Sequence, residues 1–243
     1  MKSIVSALAM TAIMVNAQDS QVYSNGFSPI KINVDGYVQT YYIAANFQSY
    51  NENEFVAPPN GRGIISKVPW MSYDDDMYFK PNLLGGSISY TVDLSQHECN
   101  CVASAYLVKM PGKDANGNTW WDTDGYGYCD AQAQGGNLCP EVDLMEANKY
   151  AFQGNPHRCD APNWAGYYSS CDFGGHQMND AIDFGSDSND FGPGDWYTIN
   201  TLKEFDYSVT FYTDGYIFNY MSIAVMQWTG SDWNWLWMED SVD

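Results

Sequence analysis

Helical periodicity is nearly absent from this chain. Its apolar residues come in short β-type runs, SISYTVDL, ASAYLVKM, EVDLME, WYTINTL, YSVTFYTDGYIFNYM and SIAVMQW, separated by clusters of Gly, Asn, Asp and Pro. With no long amphipathic helices to build a core, the chain has to bury sheet against sheet. In SISYTVDL the residues Ile88, Tyr90, Val92 and Leu94 alternate with polar ones, as on a strand with one buried face. Asp214-Gly215, inside TDGYIFNYM, is a strong hairpin turn signal. The expectation is an all-β fold, an antiparallel β-sandwich.

The first 17 residues, MKSIVSALAMTAIMVNA, set one Lys ahead of a short apolar run and end on a small-x-small pattern at Ala17, which reads as a secretory signal peptide. That run is too short to span a bilayer, and no later stretch has the length of uninterrupted apolar residues that a membrane helix needs. The remainder, 18–243, fits one large all-β domain. Six cysteines form an even set in a chain that looks exported, so disulfides are a better first reading than a metal site. The three histidines, His97, His157 and His176, do not have the spacing of a zinc motif.

Thirty acidic against ten basic residues give a net charge of −20, which repels nucleic acid and anionic lipid surfaces. An uncharged polymer meets no such penalty, and 9 Trp and 19 Tyr supply flat faces on which sugar rings can stack. Between Cys171 and Trp196 runs a long polar loop, GGHQMNDAIDFGSDSNDFGPGD, of the kind more often functional than incidental.

The densest chemical signal is Cys139-Pro-Glu141-Val-Asp143-Leu-Met-Glu146, with three carboxylates in six residues of an apolar strand. On a regular strand Glu141 and Asp143 share a face and Glu146 points to the other. A β-bulge between Asp143 and Glu146 adds one residue to the count and returns Glu146 to the shared face. Three carboxylates held that close cannot all ionise cheaply, so at least one pKa must rise, as a general acid beside a nucleophilic carboxylate requires. Two carboxyls about 5–5.5 Å apart allow direct attack on an anomeric carbon with retention of configuration. Glu141 would attack, Glu146 would protonate the leaving oxygen, and Asp143 would hold Glu141 in place. A solvated acidic edge strand or a calcium site accounts for the same spacing.

The stretch resembles the ExDxxE signature of the glycoside hydrolase family 7 cellulases, the cellobiohydrolases and endoglucanases. Flanking segments strengthen the likeness: LLGGSISYTVDLSQHEC, AYLVKM and GYGYCDAQ upstream, EANKYAFQGNPHRC and FGPG downstream, and MSIAVMQWTGSDWNWLWMED towards the C-terminus. The resemblance runs with gaps from about Leu84 to Asp240 and is faint before Leu84. It implies a curved, concanavalin-like jelly-roll sandwich with a glucan lying across its concave face. It also implies Glu141 as nucleophile, Asp143 as its partner and Glu146 as acid/base, with sugar contacts from Tyr106, Asp130, Gln132 and His157. Trp228 and Trp237, nine residues apart, take the place of the two cleft tryptophans. The same mapping pairs Cys129 with Cys139 and Cys159 with Cys171, and leaves the pairing of Cys99 and Cys101 open.

The chain is shorter than full family domains. Thr229-Gly230 replaces the family's acidic pair after the first cleft tryptophan, and the arginines that grip the product sugars have no clear counterparts. The implied protein is a secreted, extracellular, monomeric, single-domain retaining β-1,4-glucan hydrolase. It needs no cofactor or metal, and its open cleft suits endo-type cleavage. Two alternatives share the fold: a glucan-binding wall protein without activity, and a hydrolase of β-1,3 or mixed-linkage glucan.

Overall fold

The computed structural model describes residues 11–12, 27–45, 48–51, 53–56, 63–70, 75–98, 100–119, 127–175, 184–185 and 189–241. Of the expected leader only Thr11–Ala12 falls within them, and Cys99 lies outside. In chain order the strands are β1 (Thr11–Ala12), β2 (Phe27–Val34), β3 (Tyr37–Ala45), β4 (Gln48–Asn51), β5 (Glu54–Val56) and β6 (Gly63–Ser66). There follow β7 (Ser87–Val92), β8 (Ala103–Val108), β9 (Glu141–Asn148), β10 (Ala151–His157), β11 (Phe184–Gly185) and β12 (Phe191–Gly192). The last four are β13 (Ile199–Asn200), β14 (Phe205–Asp214), β15 (Ile217–Trp228) and β16 (Trp233–Ser241). One 3-10 turn, Asp75–Met77, accompanies them, and among the described residues no helix is long and apolar enough to cross a membrane.

Seven strands form one sheet in the order β16-β15-β14-β7-β1-β5-β4, and four form another, β11-β10-β9-β8. A three-stranded sheet, β2-β3-β6, and the pair β12-β13 complete the set. Pairing is antiparallel except at β1 and between β12 and β13. The predicted all-β antiparallel sandwich is the fold observed.

The alternation in β7, β14 and β15 turns Tyr90, Tyr207, Val209, Ile223 and Val225 to one face, where they bury against Leu144, Ala147 and Phe152 of β9 and β10. Tyr207 is fully buried, so its hydroxyl needs a partner, and it donates to the carbonyl of Leu144 across the two sheets. The opposite face of the larger sheet is polar in its middle: Ser89 bonds Ser208 at 3.0 Å and Thr91 bonds Asp206 at 2.6 Å.

Two details depart from the reading of the runs. IFNYM and SIAVMQW are one continuous 12-residue strand, β15, joined to β14 through a two-residue loop, Gly215-Tyr216, with Gly215 at φ 64°. WYTINTL contributes only Ile199–Asn200 as strand. Side-chain amides take over there: Gln227 accepts from the Asn200 N–H and donates to the carbonyls of Asn200 and Glu204, occupying groups a longer ladder would use.

β9 carries the extra residue. Against β8, Ala105 pairs with Met145 and Tyr106 with Asp143; against β10, Gln153 pairs with Glu146 and Asn155 with Asp143. Each neighbour advances one residue fewer than β9, so Leu144 and Met145 together form the bulge. Gly154 lies beneath it, and a Cβ there would stand 2.5 Å from Cδ1 of Ile223 and 3.2 Å from the carbonyl oxygen of Asp143. Gly154→Ala should therefore destabilise the fold by about 1–3 kcal/mol in urea unfolding, from overpacking. Ile223→Val, which removes Cδ1, should recover part of that loss in the double mutant; equal stability of Gly154→Ala and the parent would refute the close packing.

Candidate active site

Because of the bulge, Glu141, Asp143 and Glu146 all project from the face of β9 opposite to the core side chains Val142, Leu144 and Ala147. Glu141 and Asp143 are buried, at 6% and 4% exposure, whereas Glu146 is half-buried nearer the surface. The neighbouring strands send Tyr106 from β8 and Gln153, Asn155 and His157 from β10 to the same face.

Each carboxylate is held differently. The backbone N–H of Ala131 donates to Oε2 of Glu141 at 3.0 Å. Ala131 sits in the loop closed by the Cys129–Cys139 disulfide, which packs in a second apolar cluster with Met77, Tyr78, Met110 and Tyr128. Asp130, 1% exposed, shapes this loop by accepting the N–H groups of Gln132 and Gln134 on Oδ1, at 3.0 and 2.9 Å. Gln132 is exposed on the same loop and reaches the carbonyl of Phe173 at 3.4 Å. Glu146 accepts on both oxygens, from the Tyr106 hydroxyl on Oε1 at 2.7 Å and from the Gln153 amide on Oε2 at 2.6 Å. Burial, first of all, raises the pKa of Tyr106, so the hydroxyl stays a donor.

Asp143 pairs with His157. Nδ1 of His157 lies 2.8 Å from the carbonyl of Asp172 and Nε2 lies 2.9 Å from Oδ2 of Asp143. A carbonyl only accepts, so Nδ1 carries a proton; a neutral ring would then turn a bare nitrogen towards a carboxylate. Protonation of both nitrogens resolves the conflict, and the hydrogen bond to Asp143 is the main cause that raises the His157 pKa to about 9. Asp172 directly follows Cys171, whose disulfide to Cys159 ties this segment back to the end of β10.

Burial is also the first cause that raises Glu141, to about 7, with the charges of Asp143 and Asp130 adding to it. The Ala131 N–H and the positive charge of His157 act in the opposite direction. Asp143 is raised too, again by burial first. The raised carboxyls are thus Glu141, the residue read from the sequence as nucleophile, and Asp143, with burial ahead of neighbouring charge as the cause in both. Ligand atoms of Glu141, Asp143 and His157 lie within 4.8 Å of one another, a spacing a cation can use. Both nitrogens of His157 are already engaged, so a metal would displace the bond to Asp143.

Of the residues named from the sequence, Glu141, Asp143, Glu146, Tyr106, Asp130, Gln132 and His157 gather around β9. Trp228 and Trp237 do not. Both stand on the larger sheet, where Ile223, Val225 and Met238 turn inward, and strand parity sends the tryptophans outward, 53% and 48% exposed. They share that outer face with Trp233 and Trp235, on the side of the sandwich away from the carboxylates. Sequence reasoning missed Gln153, a lone polar residue in a strand, and the backbone groups of Ala131 and Asp172. Cys101 is exposed and has no disulfide among the described residues.

The sequence model of glycosyl hydrolase family 7 matches residues 28–135. The chain is 33% identical over 193 residues to Endoglucanase EG-1 of Trichoderma longibrachiatum, a match covering 71% of this chain and 38% of that protein. It thus spans under two fifths of the length of the curated relatives it matches. Among solved structures it is similar to the native endocellulase EGI of Humicola insolens, with TM-score 0.53 and 16% identity over 86% of this chain and 75% of that one. A family 7 cellobiohydrolase from Daphnia pulex gives TM-score 0.51 and 17% identity over 93% and 76% of the two chains. At these identities the solved structures speak for the fold. Sequence and fold agree: over the residues matched, the chain is similar to glycosyl hydrolase family 7.

Proposed function

We propose that this chain is a secreted endo-type β-1,4-glucan hydrolase that works with retention of configuration through Glu141 and Glu146. The observation that carries the reading is the bulge in β9, which brings three carboxylates to one face beside the histidine that bonds Asp143. The names of the relatives, endoglucanase and endocellulase, support β-1,4-glucan as the substrate.

Glu141 suits the nucleophile because it is buried and its Oε2 is fixed by a backbone donor. Its free oxygen attacks the anomeric carbon while Glu146 gives a proton to the glycosidic oxygen, so the C–O bond breaks and the leaving chain departs as an alcohol. Glu146, now a carboxylate, takes a proton from water, and the resulting hydroxide displaces Glu141. Glu146 lies closer to the surface, where the attacking water can reach it. Asp143 keeps His157 charged, and that charge favours the ionised form of Glu141.

Glu141→Gln should lower hydrolysis of carboxymethylcellulose at least about 10³-fold, and Glu146→Gln about 10²–10⁴-fold, with parallel loss of the viscosity drop. Full activity in Glu141→Gln would overturn the assignment.

Attack requires Glu141 as a carboxylate, so kcat/KM should climb as pH rises through about 7 and fall away below it. Replacing His157 by Asn removes a positive neighbour and should move this acidic limb to higher pH. A limb that stays in place in His157→Asn would separate the histidine from the nucleophile.

A further inference from the structure

Gln153 has no role in the steps above, yet its placement is specific. It lies directly across from Glu146 in the β9-β10 register, and its amide N–H meets Oε2 at 2.6 Å while Tyr106 takes Oε1 at 2.7 Å. Ser104, paired with Glu146 from the β8 side, hydrogen-bonds Tyr106 in turn. A groove lined by Val102, Glu146, Asn148, Ala151 and Gln153 opens at this point, so the second carboxylate oxygen and the amide that holds it both border open space.

We infer that Gln153 is a positioning residue for the acid/base Glu146, holding its carboxyl plane from the β10 side so that one oxygen faces the glycosidic oxygen. This rests on the reading of Glu146 as acid/base. A carboxylate on a flexible glutamate stem has several rotamers, and two donors on opposite oxygens select one. The bond is charge-assisted while Glu146 is ionised, as in the second step, where it must take a proton from water. Both donors reach Glu146 from its own face: Gln153 is its partner in β10, and Tyr106 stands two residues from Ser104, its partner in β8.

The test separates proton delivery from general damage. Aryl β-cellobiosides with a poor leaving group, such as phenol, need an acid; those with a good one, such as 2,4-dinitrophenol, do not. Gln153→Ala should lower kcat/KM about tenfold on the phenyl substrate and less than about twofold on the dinitrophenyl one. The alkaline limb of the pH profile on the phenyl substrate should move to higher pH, because one donor to the carboxylate is gone. Gln153→Glu, which sets a second carboxyl at Oε2, should move that limb further the same way. Thermal midpoints of both variants should stay near the parent's, since the side chain is exposed. Equal loss on both substrates, or an unmoved pH profile, would overturn the role of Gln153. A parent enzyme that turns over the dinitrophenyl substrate but not the phenyl one would overturn the assignment of Glu146 itself, and one that turns over neither would overturn the reading of the chain as a hydrolase.

Discussion

One extra residue in β9 brings three carboxylates to one face, and the proposed chemistry depends on it. Without Leu144 as a bulge, Glu141 and Asp143 face outward and Glu146 turns into the apolar layer against β14 and β15. The bulge is locked from three sides: the Leu144 carbonyl accepts the buried Tyr207 hydroxyl, Gly154 lets Ile223 pack beneath it, and the flanking strands keep their own register. Core and site are therefore not separable here. The contact that closes the two sheets is made by the residue that brings the third carboxylate to the working face.

The cost of that convergence is electrostatic, and the surrounding loops offset it. Burial first of all, and then the charges of Asp143 and Asp130, lifts Glu141 to about 7. Against this stand one backbone donor from the loop stapled by Cys129–Cys139 and one imidazolium oriented by the segment stapled by Cys159–Cys171. Each disulfide thus lies within a few residues of a group that touches a site carboxylate.

Much of this was legible in the sequence. Alternation in SISYTVDL named a buried face, and the parity of the three carboxylates pointed to a bulge as the way to bring them to one face. The first hairpin has a turn signal of its own: Asp35-Gly36 forms its two-residue loop with φ 53° and 83°, both positive, whereas at Gly215-Tyr216 only the glycine is, and the resemblance before Leu84 looked faint. The family match in fact covers residues 28–135. Spacing between Trp228 and Trp237 does not say which sheet or which face they join; that follows from Ile223 and Val225, which claim the inward parity of β15. Gln153 left no sequence signal, because a polar residue in an exposed strand position is ordinary until its cross-strand partner is known.

The most direct test of the central claim is to trap the covalent intermediate. Incubation with 2,4-dinitrophenyl 2-deoxy-2-fluoro-β-cellobioside slows the second step more than the first, and mass spectrometry of the intact and digested protein locates the sugar. The account predicts one fluorocellobiosyl group per chain, on Glu141. A label on Glu146 or Asp143 would contradict the assignment of roles, and turnover with inversion and no label would contradict the retaining mechanism.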